Sequence, residues 1–322
     1  MVHQADVNGA GNLRSIVTLT VNPALDVSTS TERVLSGHKM RCAATRLDPG
    51  GGGINVARVI QRLGGRTLSI YAAGGPTGKA YRQLIEAAHI PALVVPILGS
   101  TRESFTVDET STGKQFRFVL QGPELREDEW RACLELLSET IVPGGFLVAS
   151  GSLPPGVPTD FYARVARIAR SRSVQCAVDA GGSALAEALT EGVFLVKPSR
   201  HELEEYLGAR LDSEQSQLDA ISRLVSQGGA EYVALTLGAS GAVLASAAGI
   251  IRIPAPDVTV QSTVGAGDSF LGALVLRLAQ GHPMDHAFRA GVAAGSATAM
   301  TPATELCARE DVERLEAELA SR

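Results

Sequence analysis

The chain has 322 residues, is 45% hydrophobic and carries a formal net charge of −5. It can bury a large core, and an acid excess with no long basic run argues against nucleic acid as its main partner. Four cysteines without a CxxC or Cys/His cluster argue against a disulfide framework or zinc ribbon and read as reduced thiols.

Residues 1–15 are polar, lack the apolar centre of a signal peptide and read as a disordered leader. No apolar run approaches the roughly 20 residues of a membrane span, so a soluble cytoplasmic protein is expected. Residues 16–21 form an apolar run of strand length. Directly after it, Asn22-Pro23-Ala24-Leu25-Asp26 puts a carboxylate at the strand's C-terminal end. There it can grip two adjacent hydroxyls of a ligand, or simply shape a turn.

Asp48-Pro49 leads into Gly50-Gly51-Gly52-Gly53-Ile54-Asn55. Four consecutive glycines cost backbone entropy inside a strand or helix, so they are expected to let a ligand approach the main chain, with the Asn55 amide beside it. A flexible turn is the alternative. A helix over 54–63 has Val56, Ile60 and Leu63 on one face and Gly64-Gly65 at its end. A strand follows at 68–73. Gly74-Gly75-Pro76-Thr77-Gly78-Lys79 is one residue short of a phosphate loop and has Ala80 where Ser or Thr is needed, so it is rejected as a nucleotide site.

Residues 102–121 contain two alternating strands, 104–109 and 115–120, joined by Thr-Ser-Thr-Gly. Together with 26–48, rich in Ser, Thr and charge, they read as a small β-layer standing off the main sheet. Such a layer would be a lid, or a pairing surface for a second subunit. It carries Lys39, Arg41, Arg102 and Arg117. Arginine makes bidentate contacts with phosphate, although most such charges are solvated; Arg117 stands out between Phe116 and Phe118.

Helical patterns at 128–139, 160–170 and 214–227 then alternate with strands at 146–149, 174–178, 193–196 and 232–236. This alternation implies a mainly parallel sheet with helices on both faces. The loops at the strand C-termini should then lie along one edge, where ligands bind. The last motif is Ser262-Thr263-Val264-Gly265-Ala266-Gly267-Asp268-Ser269-Phe270, ahead of an apolar helix. Glycines at a helix start expose first-turn N–H groups that can hold an anion. Asp268 beside them can take a proton from an attacking hydroxyl. The same spacing also fits a first-turn acid favoured by the helix dipole.

These motifs, in this order, resemble the ribokinase-like family of carbohydrate kinases, also called the phosphofructokinase B family. The shared features are strongest with its bacterial minor 6-phosphofructokinase branch: TVNPALD at 20–26, DPGGGGINVAR at 48–58, ASGSLPPGV at 149–157, VKP at 196–198, STVGAGDS at 262–269 and GVAAGSA at 291–297. The resemblance implies a three-layer α/β/α sandwich over 16–322 with a β-sheet lid over about 26–48 and 102–121. It implies ATP-dependent phosphorylation of a sugar phosphate, foremost fructose 6-phosphate. Tagatose 6-phosphate, fructose 1-phosphate or neutral-sugar kinases are alternatives, and a non-catalytic sensor on the same fold is another.

Carried over, Asp268 is the catalytic base, with Gly265, Ala266 and Gly267 as the anion hole. Asp26, Gly51, Gly52, Asn55, Ser150 and Gly151 contact the sugar, and Arg102, aided by Lys39, Arg41 and Arg117, clamps its phosphate. Lys197, Ser199, Thr236, Gly238, Ser240, Gly241, Ser262 and Ser296 serve the nucleotide. Glu202 orders the water shell of Mg²⁺, although Ser199 stands where the family has Asn. K⁺ is an optional further ion near 298–305, where Pro302, Ala303 and Glu305 depart from the branch. A homodimer through the lid is expected.

Overall fold

The computed structural model describes residues 14–321. The leader expected at 1–15 lies outside them except for Arg14 and Ser15. In chain order the elements are β1 (Ile16–Thr20), β2 (Ala24–Thr31), β3 (Arg46–Gly50), α1 (Gly52–Arg62), β4 (Leu68–Ala73), α2 (Gly75–Ala87), β5 (Ala92–Pro96), β6 (Arg102–Glu109), β7 (Lys114–Val119), α3 (Glu127–Thr140) and β8 (Phe146–Ser150). They continue with α4 (Phe161–Ser171), β9 (Gln175–Asp179), α5 (Gly182–Glu191), β10 (Val193–Val196), α6 (Arg200–Leu207), α7 (Glu214–Ser226), β11 (Ala230–Thr236), β12 (Ala242–Ser246), β13 (Gly249–Ile253), α8 (Ala266–Ala279), α9 (Met284–Ala299) and α10 (Arg309–Ala320).

The large sheet runs β13-β12-β11-β10-β9-β8-β1-β4-β5, parallel from β5 to β11, with two antiparallel strands at one edge. Period-2 alternation splits each central strand between two cores. In β8, Leu147 and Ala149 join the core formed with α3 to α7, whereas Phe146 and Val148 face α1, α8, α9 and α10. Helix α8 is apolar on nearly every side (Phe270, Leu271, Leu274, Val275 and Leu276 are all buried), which suits a helix wrapped by α1 and α9. The residue at its N-terminus therefore stands on a rigid support.

The chain winds from β1 to β4 on one side and to β8 on the other, so the strand order reverses at β1. Ligands of such sheets bind at this switch point, outside the strand C-termini. Asn22, Ser150, Asp179 and Lys197 follow or close β1, β8, β9 and β10 along that edge.

A second sheet, β3-β2-β6-β7, stands apart. Its register puts Leu47, Val27, Phe105, Val107, Phe116 and Phe118 on one face and Asp26, Asp48, Arg102, Ser104, Thr106 and Arg117 on the other. The polar face looks toward the site: Ser28 meets Thr304, and Gln115 donates to Ser262. The apolar face is left partly open, with Phe118 53% exposed.

One local expectation needs correcting. The four glycines do not all lie outside regular structure: Gly50 ends β3, Gly51 caps α1, and Gly52 and Gly53 form its first turn. The reason is proximity to β8, because a Cβ on Gly52 would sit 2.1 Å from Ser150 Oγ.

Candidate active site

Two clefts meet at the N-terminus of α8. The larger, about 1030 Å³, is lined by Asn22, Gly52, Arg102, Ser150, Gly151, Asp179, Glu202 and Asp268, among others. The smaller, about 720 Å³, has Ser199, Thr236, Gly238, Gly241, Gly267 and Ser296 in its walls. Gly267 and Asp268 are adjacent in sequence and belong to different clefts. A group bridging the two spaces must pass the first turn of α8.

That turn is shaped for an anion. Gly265 caps the helix at φ 75, a left-handed conformation that a side chain would resist. Ala266 N–H turns back to Thr263 O at 3.3 Å, which leaves the N–H groups of Gly267 and Asp268 at the helix mouth without intrahelical partners. Lys197 is buried behind Gly267 and pairs with Asp179 at 3.1 Å. Burial works against its ammonium, but Asp179, Glu202 and Asp268 outweigh it and hold its pKa above the ordinary lysine value.

Asp268 lies partly exposed in the cleft wall. Its pKa is raised to about 7, first by desolvation and then by the nearby charge of Asp179; the Asn55 hydrogen bond and Lys197 pull it back. Asn55 Nδ2 donates to Asp268 Oδ2 at 2.9 Å. A carboxylate with one oxygen fixed and a pKa near neutrality has the properties of a general base.

Asp26 sits at the start of the small sheet's polar face. Its pKa is raised to about 6 by desolvation, opposed by Arg102, Arg58 and Arg117. Arg102 donates from Nη1 to Leu120 O and from Nη2 to Asn22 O, both at 3.1 Å, while its buried Nε has no partner. A buried unpaired donor on a clamped guanidinium calls for an acceptor.

The remaining sequence candidates fall in different places. Gly51 caps α1 behind the cleft. Arg117 is exposed and lines neither cleft, yet is close enough to act on Asp26. Lys39 and Arg41 lie on the exposed connection between β2 and β3, also away from both clefts. Ser240 lies in the turn after β11 without lining the smaller cleft. Ser262 is buried and donates to Ala303 O at 2.8 Å.

Ser199 and Glu202 form a capping box at the start of α6: Ser199 Oγ accepts from Glu202 N, and Glu202 Oε2 accepts from Ser199 N at 2.7 Å. The serine thus keeps a structural task that asparagine would also perform. Among the described residues no group of three or more His, Cys, Asp or Glu side chains could hold a metal ion. A Mg²⁺ here would be held mainly by nucleotide phosphates and water, which suits its preference. In the loop expected to hold K⁺, the Ala303 carbonyl already accepts from Ser262 Oγ, and the single hydroxyl of Thr301 lies within reach of the Thr298 and Glu305 carbonyls, so an ion would compete for them.

Sequence reading missed Asp179, Arg58 and Thr304. Asp179 closes a strand whose apolar part was recognised. Arg58 shows its partners only once β3 packs beside α1, and Thr304 only once the C-terminal loop meets β3: Thr304 Oγ1 donates to Asp48 Oδ2 at 2.8 Å across 256 residues.

The sequence model of the pfkB family carbohydrate kinases matches residues 20–311. The chain is 47% identical to the ATP-dependent 6-phosphofructokinase isozyme 2 of Mycobacterium tuberculosis, over 93% of this chain and 88% of that one. It superposes on crystal structures of phosphofructokinase-2 from Escherichia coli. One is in complex with fructose-6-phosphate (TM-score 0.90, 38% identity) and one in complex with potassium (TM-score 0.92, 39% identity). Each covers 95% of this chain and 99% of the other.

Proposed function

This chain belongs to the pfkB family of carbohydrate kinases, and from that premise we propose that it transfers the γ-phosphoryl group of ATP to fructose 6-phosphate. The products are fructose 1,6-bisphosphate and ADP. The observation that carries this reading is the placement of Asp268 at the junction of two clefts, one oxygen held by Asn55, beside open helix N–H groups.

Asp268 Oδ1 accepts the proton of the C1 hydroxyl. The hydroxyl oxygen attacks the γ-phosphorus in line, the bond to the β,γ-bridging oxygen breaks, and ADP departs. The N–H groups of Gly267 and Asp268, with Lys197, meet the charge that develops on the phosphoryl oxygens. Ser150, Gly151, Gly52 and Asp26 surround the sugar. The unpaired Arg102 Nε supports its assignment to the 6-phosphate. Thr236, Gly238, Gly241 and Ser296 line the space left for the nucleotide. A Mg²⁺ bound with ATP would neutralise phosphate charge, and Glu202, already oriented by Ser199, would hold its water.

The open apolar face of the small sheet supports a homodimer in which two such faces pack together, closing the lid over the sugar. Among the described residues no helix is long and apolar enough to cross a membrane, and an enzyme acting on ATP and a sugar phosphate belongs in the cytoplasm.

Purified protein with MgATP and a panel of hexose monophosphates, followed by ADP release, tests the reading. Fructose 6-phosphate should give the highest kcat/KM. Faster turnover of fructose 1-phosphate or tagatose 6-phosphate would replace it with a neighbouring kinase activity. Arg102→Ala should raise KM for fructose 6-phosphate at least about tenfold, the scale of a lost charge-assisted contact. An unchanged KM would remove the phosphate-clamp assignment.

A further inference from the structure

Asn55 can serve Asp268 in only one of its two amide orientations. Its Nδ2 donates to Asp268 Oδ2 at 2.9 Å; turned over, the side chain would set a carbonyl oxygen against a carboxylate. Its other end decides the choice. Arg58, one turn further along α1, donates from Nη1 to Asn55 Oδ1 at 3.1 Å. A guanidinium has donors only, so it accepts the carbonyl end and rejects the amino end.

Arg58 is itself fixed. Nη1 also donates to Pro49 O at 3.2 Å, and Nη2 pairs with Asp48 Oδ1 at 3.1 Å. The second oxygen of Asp48 takes Thr304 Oγ1 and Arg46 Nε, each at 2.8 Å. Arg58, Asp48, Asn55 and Thr304 are all buried, and Arg58 lines neither cleft. A buried ion pair is a costly way to stabilise a fold, and an apolar pair often does as well. Here the planar fork of Arg58 does something an apolar residue could not, because it spans Asp48, Pro49 and Asn55 at once.

We propose that Arg58 is a positioning residue for the phosphoryl-transfer reaction, fixing the Asn55 amide so that its N–H, rather than its carbonyl oxygen, faces the Asp268 carboxylate. The proposal rests on the reading of Asp268 as the base. The groups facing Asp268 are Asn55 from α1, Asp179 at the end of β9, Lys197 after β10 and, at longer range, Asp26 from β2. Arg58 touches only Asn55 among them; on Asp26 it acts through charge, which lysine would keep. Without an oriented donor, Asp268 holds its proton to higher pH.

The test is the pH dependence of kcat/KM for the full chain and its variants Arg58→Met, Arg58→Lys, Asn55→Ala and the double Asn55→Ala/Arg58→Met. In Arg58→Met and Asn55→Ala the acidic limb should move up by about half to one pH unit. The plateau rate should fall about 10- to 100-fold, as for a slightly misplaced catalytic group. Arg58→Lys keeps the ion pair but loses the fork, and its limb should move in the same direction by less. Once Asn55 is removed, Arg58→Met should shift the limb no further. A limb unmoved in both Arg58 variants, or a further shift in the double variant, overturns the proposal. If Arg58→Met does not fold, Arg58→Lys decides alone. Asp268→Asn separates the two levels: retained turnover there removes the base reading itself, whereas a lost turnover with the limb unmoved in every Arg58 variant that folds removes only the role of Arg58.

Discussion

Asp268 meets two demands that pull in opposite directions. As the proposed base it must be ionised to take a proton, yet its surroundings disfavour the charge and lift its pKa to about 7. Activity should therefore fall on the acid side of neutrality, with an acidic limb in kcat/KM near pH 7; a flat profile down to pH 5 would contradict this. Stability runs the opposite way to activity. The folded-state pKa lies above the unfolded value of 3.8, so the protonated form favours the fold below about pH 4, and that contribution is lost as pH rises through about 7. Asp268→Asn should raise Tm by a few degrees at pH 8 and have little effect near pH 4, read by calorimetry. The place of Asp268 in the first turn of a glycine-led helix was legible in the sequence because glycines and acid are neighbours there. Asp179, which raises its pKa, was not, since it lies 89 positions away and meets Asp268 only on folding; nor was Arg58, which reaches Asp268 only through Asn55.

At the scale of elements, β8 and α1 approach so closely that a side chain on Gly52 has no room. Gly52→Ala should displace Ser150 or the first turn of α1, lowering activity at least about tenfold and destabilising the protein by about 1–3 kcal/mol, as overpacking does. Unaltered kinetics and an unaltered denaturation midpoint would show that the contact is slack. The start of α6 follows a milder rule. Ser199→Ala removes a cap and should cost about 1 kcal/mol in chemical denaturation, whereas Ser199→Asn should cost almost nothing. Alternation and helical period made most central elements readable: the strands at 68–73 and 193–196 match the structure to the residue. The edge pair β12–β13 was not read, because one hairpin at the end of a parallel run does not disturb that rhythm. The glycine run misled on α1 because composition reports the cost of glycine in a helix but not the neighbour that requires it.

For the molecule as a whole, the two faces of the small sheet divide its tasks. Asp26, Arg102 and Arg117 share its polar face, while Leu47 and Phe118 stand exposed on the other, with Phe105 and Phe116 partly covered beside them. Light scattering should give the mass of a dimer, and Phe118→Glu should give that of a monomer with a raised KM for the sugar phosphate. A wild-type monomer at micromolar concentration would contradict lid-to-lid packing. The alternation at 104–109 made this layer visible in the sequence, but which face was polar toward the clefts emerged only from the register. Phosphoryl transfer at one carboxylate is the central proposal. The most direct measurement is turnover of Asp268→Asn with fructose 6-phosphate and MgATP, alongside sugar-phosphate binding by calorimetry. The account predicts a loss of roughly 10²- to 10⁴-fold in kcat with binding retained; near-normal turnover would contradict it.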